Sequence, residues 1–160
     1  MSEPGAAIEP FVRAATAGHS DDELLVVPQW QASDWTALFS HARRVDLNSG
    51  DVLIRRNVPG RALYFLASGL LEVTSVLGTH SLGAIAKVRP GSVVGELAFL
   101  DGMPRSAKVW AIATSVVYQL EFEDYQRFAD AHPRAACDLV FALGRIVALR
   151  LRHSQTRGAR

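Results

Sequence analysis

Between Arg44 and Phe122 the chain is a succession of short runs rich in Val, Leu, Ile and Tyr, each stopped by Gly, Pro, Asn or Ser. This punctuation restricts the fold more than any other property of the sequence, because runs of that length and composition are strands. Seven can be marked, at residues 44–47, 51–55, 62–67, 70–76, 80–88, 107–113 and 116–122, with turns at Asn48-Ser49-Gly50, Pro59-Gly60, Ser68-Gly69, Gly78 and Pro90-Gly91. No helical pattern separates the strands. Parallel pairing, which needs crossover helices, is therefore disfavoured, and an antiparallel sandwich, jelly roll or barrel is expected.

Helical spacing appears only at the two ends. Ser33 followed by Asp34, Trp35, Leu38 and Phe39 reads as a capped helix entry, and a loosely held arm with a short helix over 11–17 precedes it. After the strands, 122–129 reads as a short helix. Pro133 then opens a longer one that runs to about Leu151, since its missing N–H falls where no intrahelical bond is made. On that helix Leu139, Ala142, Ile146 and Leu149 form one apolar stripe, and Val140, Leu143, Val147 and Leu151 form the adjacent one. A face this wide fits a helix laid deeply into its own domain. It equally fits a helix that gives one stripe to the domain and the other to a second subunit or a ligand.

At 160 residues with 49% hydrophobic and 21% charged side chains, the chain suits one domain with a real core. The expected division is an arm with short helices over 1–43, a main domain with the long helix over 44–153, and a flexible basic tail over 154–160. A net charge of +1 excludes a whole-domain basic footprint for nucleic acid. Cys137 is the only cysteine, so no intrachain disulfide or thiolate-rich metal site can form. Glu3, Pro4, Gly5, Glu9 and Pro10 interrupt any leader-like run, and no stretch approaches the roughly 20 apolar residues of a membrane span. A cytoplasmic protein without membrane insertion is expected.

The chemistry is concentrated in Gly95-Glu96-Leu97-Ala98-Phe99-Leu100-Asp101-Gly102-Met103-Pro104-Arg105-Ser106-Ala107, between two strands. Residues 97–100 can make a single helical turn behind Gly95, whose missing side chain lets backbone N–H groups approach an anion. Arg105 carries a permanent charge on a planar fork that matches two phosphate oxygens, and Pro104 restricts the backbone leading into it. Glu96, an acceptor when ionised, suits a sugar hydroxyl.

In this order and spacing the segment resembles the phosphate-binding cassette of cyclic nucleotide-binding domains, the family of the catabolite activator protein and of the regulatory subunits of cAMP-dependent kinase. The resemblance extends over about 44–152, through the turns at Gly50, Gly60 and Ser68-Gly69 and the run Ala62-Leu63-Tyr64. It implies a mainly β fold, an antiparallel eight-stranded jelly roll flanked by helices, with cAMP as ligand and cGMP as the alternative. It assigns the ribose 2′-hydroxyl to Glu96 and the cyclic phosphate to Arg105. Backbone groups of Gly95, Leu97, Ala98 and Ser106 would assist, and the Ser106 hydroxyl would reach a phosphate oxygen or the purine edge. Leu63, Leu71, Val94 and Val109 are the expected apolar walls. Leu143, Arg145 or Val147 is expected to cap the base, since the family uses its C-terminal helix or a partner subunit for this and no aromatic residue follows Phe141. Two positions depart from the family pattern: Val94 stands where many members have Phe, and Arg61 stands where an acidic residue is common.

Other classes fit less well. A metal enzyme of the barrel type needs clustered ligands, whereas His19, His41, His80, His132 and His153 are scattered. The segment Gly91-Ser92-Val93-Val94-Gly95 puts Ser second instead of third for a nucleophile elbow, and no phosphate loop ending in Gly-Lys-Ser/Thr occurs. No catalysis and no metal are expected. A DNA-reading helix-turn-helix would need more chain than follows the last helix before Arg160, so direct DNA binding is not expected; the arginines at 145, 150, 152, 157 and 160 complement the helix dipole. The expectation is a stand-alone regulatory module that signals through its C-terminal helix to an unidentified effector protein, with a homodimer through that helix as a possible assembly. The alternatives are a scaffold of the same fold that no longer binds nucleotide, or part of a transcription regulator lacking its own DNA-binding domain. Intact Glu96 and Arg105 argue against the scaffold, because a buried arginine without an anion is costly.

Overall fold

In the computed structural model, residues 4–16, 23–75 and 84–157 are described. The elements in chain order are α1 (Pro4–Thr16), α2 (Ala32–Phe39), β1 (Arg43–Leu47), β2 (Val52–Ile54), β3 (Leu63–Ser68), β4 (Leu71–Ser75), β5 (Ala84–Val88), β6 (Val93–Val94), α3 (Glu96–Asp101), β7 (Lys108–Ala111), β8 (Ser115–Leu120), α4 (Phe122–Ala131) and α5 (Pro133–Arg157). Each of the seven apolar runs contains a strand. The turn expected at Gly78 and residues 80–83 of the fifth run lie outside the described residues. The eighth strand, β6, is only two residues long, too short for any periodic signal.

The strands form two four-stranded sheets, ordered β1-β8-β3-β6 and β2-β7-β4-β5, and every pairing is antiparallel. The mainly β architecture with flanking helices is therefore as expected. β3 shows why its sequence is apolar without interruption. Its neighbour Ala62, with Tyr64 and Leu66, belongs to the cluster with Leu71, Val94, Val109 and Val117 from both sheets. Leu63 and Phe65 belong to a second cluster with Phe11, Trp35, Phe99, Phe128 and Leu139 from the helices. Successive side chains of a strand point to opposite faces, so a strand covered on both faces reads as one apolar run.

The flanking helices depart from expectation in three ways. α1 starts at Pro4, well before residue 11, and it is anchored: the Phe11 ring lies 5.0 Å from Trp35 and 5.8 Å from Phe65. α2 starts before Ser33, because the Asp34 carboxylate accepts the Gln31 N–H at 2.7 Å; a charged acceptor at a helix start outcompetes a hydroxyl. α5 begins at Pro133 as expected but continues to Arg157, past Leu151.

The two stripes of α5 have different fates. Leu139, Ala142 and Ile146 are buried in the helix-side cluster together with Leu143 of the second stripe. Val140 (36% exposed), Leu151 (58%) and Phe141 (81%) instead face outward, leaving an apolar strip beside the domain contact.

Candidate functional site

The segment from Gly95 to Arg105 is held by the close approach of its two ends. Gly95 has φ +85°, and a Cβ there would stand 2.8 Å from Arg105 Nη1 and 2.9 Å from the Ala62 carbonyl oxygen. Only glycine combines that backbone conformation with that clearance. Arg105 fills the space: its Nη1 donates to Ala62 O at 2.9 Å and toward Gly95 O at 3.4 Å, and its guanidinium carbon lies 5.7 Å from the centre of the Tyr64 ring.

Arg105 is 6% exposed, and among the described residues no carboxylate forms an ion pair with it. Burial lowers its pKa from the ordinary arginine value, opposed by the fields of Tyr64, Glu121 and Glu96. Burial likewise raises that of Tyr64. A buried permanent cation without a counter-ion is an arrangement that an anion relieves. Beside it a cavity of about 290 Å³ opens between Ile54, Gly60, Ala62, Tyr64, Arg105 and Glu121.

Glu96, the first residue of α3, is also buried, and it is not free. Its Oε1 accepts from Arg150 Nη1 at 2.5 Å, while Arg150 Nη2 donates to Val93 O at 3.0 Å. The long helix α5 is thereby tied to the strand and turn that carry the site. In α3 the first intrahelical bond runs from Phe99 N–H to Gly95 O at 3.1 Å, so the N–H groups of Leu97 and Ala98 precede the helix's own ladder. Ser106 is exposed next to Arg105.

The six expected ligand residues are not all brought together: Gly95 lies against Arg105, Glu96, Leu97 and Ala98 form the first turn of α3, Ser106 follows Arg105, and of the six only Arg105 lines the cavity. The proposed walls divide. Leu71, Val94 and Val109 belong to the inter-sheet cluster with Tyr64, although none lines the cavity beside Arg105. Leu63 must be reassigned: strand parity sends it to the helix-side core, and Ala62 and Tyr64 take the face between the sheets. Among the suggested caps, Leu143 is fully buried in the helix-side core and is committed there. Around the helix from Arg150, Arg145 lies about 140° away and Val147, half-buried, about 60° away, on the side of the exposed Val140 and Leu151.

The sequence profile of cyclic nucleotide-binding domains matches residues 44–132, more than half of the chain. The chain belongs to that family. Among curated relatives, glutaminase 1 of Bradyrhizobium diazoefficiens is 33% identical over 103 residues, 64% of this chain and 16% of that protein. The cAMP-dependent protein kinase regulatory subunit of Dictyostelium discoideum is 30% identical over 86 residues, 52% of this chain and 26% of that protein. This chain therefore corresponds to a minor part of each relative. A solved cyclic nucleotide-binding domain from Methylobacillus flagellatus superposes with a TM-score of 0.76 at 20% identity, covering 94% of this chain and 81% of that one. Among the described residues there is no cluster of metal-ligating side chains, and no helix is long and apolar enough to cross a membrane.

Sequence reasoning missed two contributors to this cyclic nucleotide-binding domain. Tyr64 was visible only as one member of an apolar run. Arg150 had a readable signal: the inward positions Leu139, Leu143 and Ile146 continue at helical spacing to 150, where a charge on an apolar face calls for a buried partner.

Proposed function

We propose that this domain is a regulatory module that binds cAMP and performs no chemistry of its own, with Arg105 holding the cyclic phosphate and Glu96 the ribose 2′-hydroxyl. The observation that carries this reading is the Arg105 guanidinium, buried beside a cavity and without an ion-pair partner among the described residues. A cyclic phosphate carries one negative charge and two free oxygens, a match for the remaining donors of the fork. The N–H groups of Leu97 and Ala98 and the Ser106 hydroxyl add neutral donors around the anion. Val147, half-buried and closer around the helix to Arg150 than Arg145 is, is the proposed cap of the base.

A competition titration with cAMP, cGMP and AMP tests the assignment. The cyclic monoanions are expected to bind, cAMP most tightly, and AMP at least about tenfold more weakly, since it presents a differently shaped phosphate that brings extra charge into the buried site. Preference for AMP would overturn the reading.

Output through α5 follows from the Glu96–Arg150 pair. A carboxylate has lone pairs enough for a guanidinium and a hydroxyl together, so the ribose binds the group to which the helix is already fastened. The nucleotide and α5 then share one buried anchor, and ligand tightens the helix on the domain. Hydrogen exchange is expected to show added protection of α5 when cAMP binds, and Arg150→Gln to abolish that difference; unchanged protection in the wild-type chain would refute the coupling. The outward strip of Val140, Phe141 and Leu151 then faces either an effector protein or a second copy of the chain. We assign the domain to the cytoplasm, where cyclic nucleotides are available to it.

A further inference from the structure

We propose, resting on the reading of the site as a cyclic nucleotide pocket, that Arg61 is its positioning residue, a clamp that fixes Glu96 relative to Arg105. The residues on either side of Arg61 serve Arg105. A Cβ on Gly60 would stand 3.3 Å from Arg105 Nε, and the Ala62 carbonyl accepts from Arg105 Nη1 at 2.9 Å. The Arg61 side chain reaches the other half of the site. Its Nε donates to Phe99 O at 3.0 Å and its Nη2 to Leu100 O at 3.4 Å, both in the last turn of α3, the helix that begins with Glu96.

These bonds complete that turn. The Gly102 N–H takes the Ala98 carbonyl at 2.9 Å, so three consecutive carbonyls at the end of α3 have partners, two of them supplied by Arg61. A helix of six residues has little stability of its own and depends on such external holds. The Arg61 guanidinium also lies over the Phe122 ring, 3.4 Å from its centre, which joins the clamp to the first residue of α4. A planar fork can serve two carbonyls and a ring face at once; lysine offers one point charge, and a carboxylate could donate to neither carbonyl. The basic residue at a position where the family commonly carries an acidic one therefore has a specific partner set here. One side chain binds the loop that cradles Arg105 to the helix that carries Glu96, and so sets the separation of the two ligand contacts.

Calorimetric titration of cAMP into the wild-type chain, Arg61→Met, Arg61→Lys and Phe122→Leu, each held well below its melting temperature, tests the proposal. Arg61→Met is expected to weaken binding about tenfold, the equivalent of one charge-assisted hydrogen bond. Arg61→Lys, which keeps the charge but not the fork, and Phe122→Leu, which removes the ring face, are each expected to weaken it about threefold. A clamp that serves folding alone would lower the melting temperature and leave the dissociation constants unchanged. Unchanged constants in all three variants overturn the proposal, and if Arg61→Met does not fold, unchanged constants in the other two do so. Absence of binding by the wild-type chain would instead remove the underlying reading of the site.

Discussion

Replacing Arg105 by alanine is expected to weaken cAMP binding by about 2–5 kcal/mol, roughly thirtyfold to a few thousandfold, because the bound phosphate would be left buried without its partner charge. Glu96→Ala is expected to cost less, about 1.5–3 kcal/mol, the range for a hydrogen bond to a charged group. The order of the two effects is the discriminating result. Arg105 forms no ion pair among the described residues, so its removal deletes an uncompensated charge and not half of a salt bridge. The Arg105→Ala chain should therefore still melt cooperatively. Glu96→Ala, in contrast, strands Arg150 and should lower the melting temperature as well as the affinity. Calorimetry with thermal melts of the three proteins checks both statements, and near-wild-type affinity for Arg105→Ala would defeat the proposed site.

Gly95→Ala should impair binding about as severely as loss of the guanidinium itself, by about 2–5 kcal/mol, through geometry alone. The added methyl group would stand 2.8 Å from Arg105 Nη1 and 2.9 Å from Ala62 O, at a residue with φ +85°. Left-handed backbone costs alanine roughly 1–2 kcal/mol more than glycine before any collision is counted. Of the two obstructing groups, the arginine is the end of a long side chain and the carbonyl is backbone, so it is the guanidinium that moves. Binding should fall steeply, with a melting temperature lowered by a few degrees in line with that strain. Retained affinity in Gly95→Ala would mean that the Arg105 position seen here is not the binding one.

How far the sequence discloses this arrangement depends on the range of the interactions involved. Strand runs were legible because their punctuation is local: Asn48-Ser49-Gly50 and Pro90-Gly91 stop the chain wherever they stand. Gly95, Glu96 and Arg105 stand out in the sequence because they share one contiguous segment of thirteen residues, and the close approach of Gly95 to Arg105 joins its two ends. β6 was not, since Val93 and Val94 become a strand only by pairing with Phe65 and Tyr64. The parity of Leu63 was hidden for a different reason: β3 is buried on both faces, and an uninterrupted apolar run carries no alternation from which to read a side. Arg61 and Arg150 act across 38 and 54 positions, and nothing in the neighbouring sequence names Phe99 or Glu96 as their partners. The capped start of α2 was read one signal too simply, with the Ser33 hydroxyl chosen over the Asp34 carboxylate beside it.

In a crystal structure of the chain with cAMP, the buried Arg105 guanidinium, which has no ion-pair partner among the described residues, should meet the cyclic phosphate. The Arg105 nitrogens are expected about 2.7–2.9 Å from the two free phosphate oxygens, with the ribose 2′-hydroxyl on Glu96. Nucleotide bound elsewhere, or Arg105 turned onto a protein carboxylate while the nucleotide is in place, would contradict it.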